Sequence, residues 1–167
     1  MSTGAVLAID QGTSATKAVL LDGGLVLAVA EIPVRPTYAA DAVEVDPEEL
    51  WDSVVAAADR AVREAGSPAL AVVALANQGE TVLAWDPATG RPLSRAIGWQ
   101  DRRAASVCRD LADHGPMLAQ RTGLVLDPYF TAPKLAWLRR QGVTGGVVTT
   151  TDAWLVHRLT GELVTDV

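Results

Sequence analysis

Only one cysteine, Cys108, occurs in the 167 residues, so no intrachain disulfide can form. A reducing, cytoplasmic setting is the expectation. No apolar run is long enough to cross a bilayer. The opening, Met1-Ser2-Thr3-Gly4, lacks a basic segment followed by an apolar stretch, and no secretory signal is expected. Basic clusters are missing too. The densest positive charge is the pairs Arg102-Arg103 and Arg139-Arg140, and the net charge is −6. Phosphate neutralisation dominates nucleic-acid affinity, so neither nucleic acid nor an anionic membrane is expected as a partner. The histidines, His114 and His157, have no cysteine or carboxylate at zinc-ligand spacing, and no Ser–His–Asp arrangement stands out. Both standard glycine-rich signatures are absent: neither G-x-x-x-x-G-K nor a helix-opening G-x-G-x-x-G occurs.

What is present is a composition of 49% hydrophobic and 20% charged residues. That suits a globular chain with one domain and a substantial core. Residues 5–9 are apolar throughout and read as a strand buried on both faces. A turn over 10–14, a strand over 17–21, the turn Asp22-Gly23-Gly24 and a strand over 25–29 follow. The chain therefore opens as an antiparallel three-strand meander in an α/β fold, not as a βαβ unit. Pro33 and Pro36 end it. Asp46-Pro47-Glu48-Glu49 predicts a capped helix start. Leu50, Val54, Ala58, Ala61, Val62 and Ala65 share one face of that helix, and Gly66 stops it. Residues 70–76 read as another fully apolar strand and 81–85 as a further one. Helices are expected over 101–112, with Ala105, Cys108 and Leu111 inward, over 131–140, with Leu135 and Leu138 as core, and over 152–159. Gly115-Pro116 reads as a break, and no repeat or interdomain linker is evident.

Chemistry concentrates in Ile9-Asp10-Gln11-Gly12-Thr13-Ser14-Ala15-Thr16-Lys17, where a strand ending in a carboxylate meets a glycine-hydroxyl turn. Glycine allows close backbone approach to a ligand. Successive turn amides form an anion-binding concavity, to which hydroxyls add donors. Asp10 can hold hydrated Mg²⁺ beside phosphates, and Lys17 can reach the same phosphates as a point charge. On these residues alone, a tight β-hairpin with polar tips is an equally good reading.

The turn Asp10-Gln11-Gly12-Thr13-Ser14 resembles the first phosphate motif of the FGGY carbohydrate kinases, which share the actin-like, ribonuclease H-like ATPase fold. The resemblance continues through Val45-Asp46-Pro47-Glu48-Glu49-Leu50-Trp51 and Ala76-Asn77-Gln78-Gly79-Glu80-Thr81. It covers Trp85-Asp86-Pro87-Ala88-Thr89-Gly90-Arg91-Pro92 and Trp99-Gln100-Asp101-Arg102-Arg103. It ends with Thr122-Gly123-Leu124, Asp127-Pro128-Tyr129-Phe130 and Thr151-Asp152-Ala153-Trp154-Leu155. Each block alone is weak. Their family order over nearly the whole chain is specific, and the glycerol kinase branch is the most similar.

The resemblance implies a mixed central sheet flanked by helices. It also implies ATP and Mg²⁺ as cofactors, a sugar or polyol as the small-molecule partner, and γ-phosphoryl transfer to a substrate hydroxyl. Gly12, Thr13, Ser14 and Lys17 would contact nucleotide phosphates, with Asp10 near the metal. Gln78, Gly79 and Glu80 match the segment that grips substrate hydroxyls, Tyr129 matches a substrate-site tyrosine, and Trp99 walls the same pocket. Glycerol-phosphorylating members carry an arginine where this chain has Gly79, so strict glycerol recognition is not expected. The family base is an aspartate in a later Gly-Asp-Gln motif, whereas the only Asp-Gln pair here is Asp10-Gln11. Residues 1–167 are thus expected to be the amino-terminal part of the first kinase domain, inactive alone, with exposed apolar edges that permit a homodimer. The alternative is a non-catalytic actin-fold module for nucleotide binding, ligand binding or assembly. Such a module would need neither Glu80 nor Tyr129.

Overall fold

A computed structural model describes residues 4–165. In chain order the elements are β1 (Ala5–Gln11), β2 (Ala15–Asp22), β3 (Leu25–Pro33), β4 (Thr37–Ala39), β5 (Ala42–Val45), α1 (Pro47–Glu64) and β6 (Leu70–Asn77). There follow β7 (Val82–Trp85), β8 (Ala96–Ile97), α2 (Ala105–Asp110), α3 (Gly115–Thr122), α4 (Thr131–Arg140), β9 (Val147–Thr150) and α5 (Thr151–Thr160). They divide into two compact units, Met1–Pro36 with Asp46–Gln78 and Thr37–Val45 with Gly79–Val167. None of the three boundaries carries a long linker-like stretch, although Pro36 and the Asp46 cap mark two of them.

The first unit is a four-stranded sheet in the order β3-β2-β1-β6. The β1-β2-β3 meander is antiparallel as expected, and β6 joins β1 in parallel, which makes the sheet mixed. Helix α1 forms where its start signals predict. The Asp46 side chain accepts from the Glu48 amide at 3.0 Å, Pro47 needs no amide partner, and Glu48 and Glu49 oppose the helix dipole. It packs over β1, β2 and β3 and, with them, buries Leu50, Val54, Ala57, Leu7, Ile9, Ala18 and Leu20. A fully buried aliphatic side chain contributes roughly 1.5–3 kcal/mol, so this face dominates the unit's stability. The buried stripe includes Ser53 and Ala57, while Ala58, Val62 and Ala65 are only half-buried. Ser53 is tolerated because its hydroxyl donates to the Leu50 carbonyl at 2.7 Å. That commits its proton, so the Thr16 hydroxyl donates across to Ser53 at 2.6 Å.

β6 departs from expectation. Its apolar residues are not buried: Leu70, Val72 and Val73 are 41%, 53% and 49% exposed. The reason is topological. β6 is the end strand, and α1 leans toward the opposite side of the sheet, over β2 and β3.

The second unit is a five-stranded antiparallel sheet in the order β4-β5-β8-β7-β9. β7 is buried at all four residues, with α4 and α5 packed against β7 and β9. Buried indoles find partners: Trp85 Nε1 donates to Thr149 Oγ1 and Trp154 Nε1 to the Gly90 carbonyl, each at 2.9 Å. Two helix expectations need correction. The helix placed over 101–112 is the shorter α2, and Gly115-Pro116 opens α3 instead of breaking a helix, because proline in the first turn forfeits no intrahelical bond. In α4, Leu135 is exposed and Lys134 is buried in its place.

Candidate functional site

The phosphate-type residues all lie in the first unit. β1 and β2 meet in a turn closed by the Gly12 amide on the Ala15 carbonyl at 2.9 Å. A Cβ on Gly12 would stand 3.1 Å from that same carbonyl, so the turn is tight against a side chain there. Gln11 is fully buried, and its Nε2 donates to the Gly12 carbonyl at 2.6 Å. From the end of β6, the Gln78 amide donates to the Gln11 carbonyl at 2.8 Å. The Gln78 side chain reaches Gln11 Oε1 at 3.3 Å. Two glutamines thus brace the turn, which leaves Thr13 half-buried and Ser14 exposed at its tip.

Asp10, Lys17 and Ala76 share the face opposite α1. There a cavity of about 330 Å³ runs between Ala8, Val19, Ala74 and the two charged residues. Lys17 stands opposite Glu31 in the ladder and pairs with it at 3.8 Å. Asp10 is a single exposed carboxylate, and no group of three potential metal ligands occurs among the described residues. This does not suit a cation caged by protein. It does fit Mg²⁺ carried in with a nucleotide, which keeps several waters and uses one or two carboxylates.

Glu80, Tyr129 and Trp99, the residues expected to meet a substrate, lie in the second unit. Glu80 has φ +63°, a left-handed conformation that costs a non-glycine residue on the order of 1–3 kcal/mol and persists only where its surroundings hold it. The surroundings here are α4. Thr131 donates to Glu80 Oε2 through its amide at 2.6 Å and its hydroxyl at 2.7 Å. Lys134 Nζ donates to the Glu80 carbonyl at 2.8 Å. Glu80 Oε1 receives no hydrogen bond from the described residues and keeps its acceptor capacity.

The Tyr129 ring meets Trp99 edge-on at 5.9 Å and Phe130 at 5.1 Å. Its backbone is fixed by its amide on Asp127 Oδ1 at 2.8 Å, and the same oxygen accepts from Arg102 at 3.1 Å. A carboxylate with one committed oxygen and a cluster of aromatic faces is chemistry suited to a polyhydroxylated ligand. The structure thus brings Glu80, Tyr129 and Trp99 onto one unit and places Asp10, Gly12, Thr13, Ser14, Lys17 and Gln78 on the other.

Residues 5–167 match the FGGY family of carbohydrate kinases, N-terminal domain. The chain belongs to this family. A glycerol kinase of Chelativorans sp. (strain BNC1) is 43% identical over 95% of the chain, and one of Alkalilimnicola ehrlichii is 45% identical over 94%. The chain spans 35% and 34% of their lengths, about a third of each. Among solved structures, the xylulose kinase of Rhodospirillum rubrum superposes with a TM-score of 0.89 at 25% identity, covering 97% of this chain and 35% of that one. A Plasmodium falciparum glycerol kinase crystallised with ADP gives 0.83 at 24% identity, covering 94% and 34%. The fold is therefore the actin-like one of the sugar kinases, as the motif order implies.

Within this FGGY chain, sequence reading missed three structural supports of the site. Lys134 lies three residues before Trp137 and four before Leu138, a spacing that puts it on the inward face of α4 and could have flagged it. Thr131 carries no signal beyond its place in the first turn of α4. Asp101 is a buried hub: it accepts from the Val43 amide at 2.8 Å and from the Arg103 guanidinium, which also reaches Glu44. Burial lowers the proton affinity of Arg103, but Asp101 and Glu44 more than offset it and the net shift is upward. No helix of the described residues is long and apolar enough to cross a membrane.

Proposed function

We propose that this chain supplies the phosphate-binding and hydroxyl-gripping residues of an ATP-dependent sugar or polyol kinase, and that alone it does not complete turnover. The observation that carries this reading is Glu80, strained and held by Thr131 at one carboxylate oxygen, with its carbonyl and that of Tyr129 accepting from the same Lys134 ammonium. In this reading Glu80 orients substrate hydroxyls, Gly79 leaves room for a substrate bulkier than glycerol, and the aromatic faces pack on its C–H surface. The amides and hydroxyls of Gly12, Thr13 and Ser14 take nucleotide phosphates. The exposed Lys17–Glu31 pair is worth little, so Lys17 is free to exchange it for phosphate. Mg²⁺ beside Asp10 would neutralise charge developing on the transferred group.

The reaction breaks the bond between the γ-phosphorus and its bridging oxygen and forms one to the substrate hydroxyl, whose proton needs a base. The only Asp-Gln pair of the sequence, Asp10-Gln11, already belongs to the phosphate turn, so in this reading the 167 residues do not themselves supply that base. A cytoplasmic setting and self-association through the β6 edge are part of the same reading. Calorimetry of the chain against a panel of polyols and ketoses, with and without Mg·ADP, is the test. Binding near the millimolar range, lost in Glu80→Ala, is expected, with no turnover in a coupled assay. Robust turnover would defeat the claim of inactivity, and a polyol affinity indifferent to Glu80→Ala would defeat the site.

A further inference from the structure

Lys134 is fully buried midway along α4. A buried ammonium is costly unless its donors are used. Here they are: Nζ donates to the carbonyl of Glu80 and to the carbonyl of Tyr129 and lies 5.7 Å from the Tyr129 ring centre. Those are the two residues, remote in sequence, to which the proposed function assigns the substrate. An apolar residue could fill the same volume, but it would leave two inward carbonyls without this donor. Together with Thr131, which holds the Glu80 carboxylate, Lys134 gives α4 a grip on both ends of one strained residue.

We infer that Lys134 is a positioning residue, a cationic peg that fixes Glu80 against Tyr129 for a polyhydroxylated ligand without touching that ligand. The inference rests on the proposed function's reading of Glu80 and Tyr129. Burial is the main influence on the ammonium and pushes its pKa down to about 8, against the carboxylates of Glu80, Asp101 and Asp127, which hold it up. Of these, Asp101 is paired with Arg103 and Asp127 with Arg102. The peg is therefore charged at neutral pH and loses its charge as pH rises through about 8. Its hydrogen bonds then weaken, because charge-assisted bonds are roughly twice as strong as neutral ones.

The test follows the backbone carbonyl ¹³C shifts of the 167-residue chain from about pH 6.5 to 9.5, together with polyol affinity at each pH. The carbonyls of Glu80 and Tyr129 should move in one step near pH 8, and polyol affinity should fall over the same step. Lys134→Arg, whose charge persists, should abolish the step, and Lys134→Met should weaken the polyol about tenfold or more at neutral pH. If neither variant folds, the wild-type titration decides alone. Two carbonyls that stay still while affinity stays level would overturn the inference. Carbonyls that step near pH 8 in a chain that binds no polyol at any pH would uphold the peg and sink the substrate reading instead.

Discussion

Gly79 and Glu80 make opposite demands on the backbone. A reader of the sequence would give any left-handed conformation in Gln78-Gly79-Glu80 to the glycine. It falls on Glu80, at φ +63°, and the glycine takes no such angle. A Cβ built on Gly79 meets nothing within 4 Å. Neither strain nor close packing therefore requires glycine there, in keeping with the proposal that Gly79 leaves room for a ligand. Gly79→Arg should keep stability within about 0.5 kcal/mol, as surface changes usually do, and raise glycerol affinity about tenfold by adding a fork of donors. Thermal melts and glycerol titrations check both halves, and an affinity that falls or stays level would separate Gly79 from substrate choice. Glu80 and Tyr129 were legible as residues because they sit in recognisable motifs. What holds them was less so: Thr131 acts through contacts that no local pattern announces, and only the spacing of Lys134 to Trp137 and Leu138 hints that this lysine faces inward when a helical lysine reads by default as solvent-facing.

At the scale of elements, legibility followed the strength of local signals. α1 carries cap, proline, acidic first turn and apolar stripe in agreement, and it forms where expected. Asp46→Ala should therefore cost about 1 kcal/mol by freeing the Glu48 amide, seen as a lower urea midpoint with an unchanged slope. A midpoint that does not move would mean that water satisfies this amide as well as Asp46 does. The β4–β5 hairpin and β8 escaped because they are short and their pairing is set by partners distant in sequence. β8 has only two residues, and β5 joins it through Glu44–Ile97 and Val45–Ala96. α3 escaped for a different reason: Gly115-Pro116 is ambiguous punctuation, equally fit to end one helix or begin the next.

Over the whole molecule, the ordered motifs gave the family and the antiparallel opening gave the first sheet. What the chain could not disclose was which apolar strands are covered. Residues 70–76 and 5–9 look alike, yet β1 is interior to the sheet and β6 is its end strand. Pairing order and the lean of α1 decide that difference, and both are non-local. The consequence is an edge with no strand partner among the described residues, carrying no charge from Leu70 to Ala76, beside a sheet face on which Val26, Val29 and Val72 are exposed. Natural edge strands avoid pairing by placing lysine, proline or bulges along the edge; β6 has neither lysine nor proline in that stretch, and its register shift lies at its start, between Leu70 and Val72. The chain should therefore self-associate as concentration rises. Val72→Lys should suppress this, because a charge on β6 must be desolvated before a second copy can pair there. Since Val72 is 53% exposed, the substitution should leave folding stability within about 0.5 kcal/mol. Sedimentation velocity over a concentration series reads the outcome. A wild-type boundary that never shifts with concentration would show that β6, though bare, is not sticky.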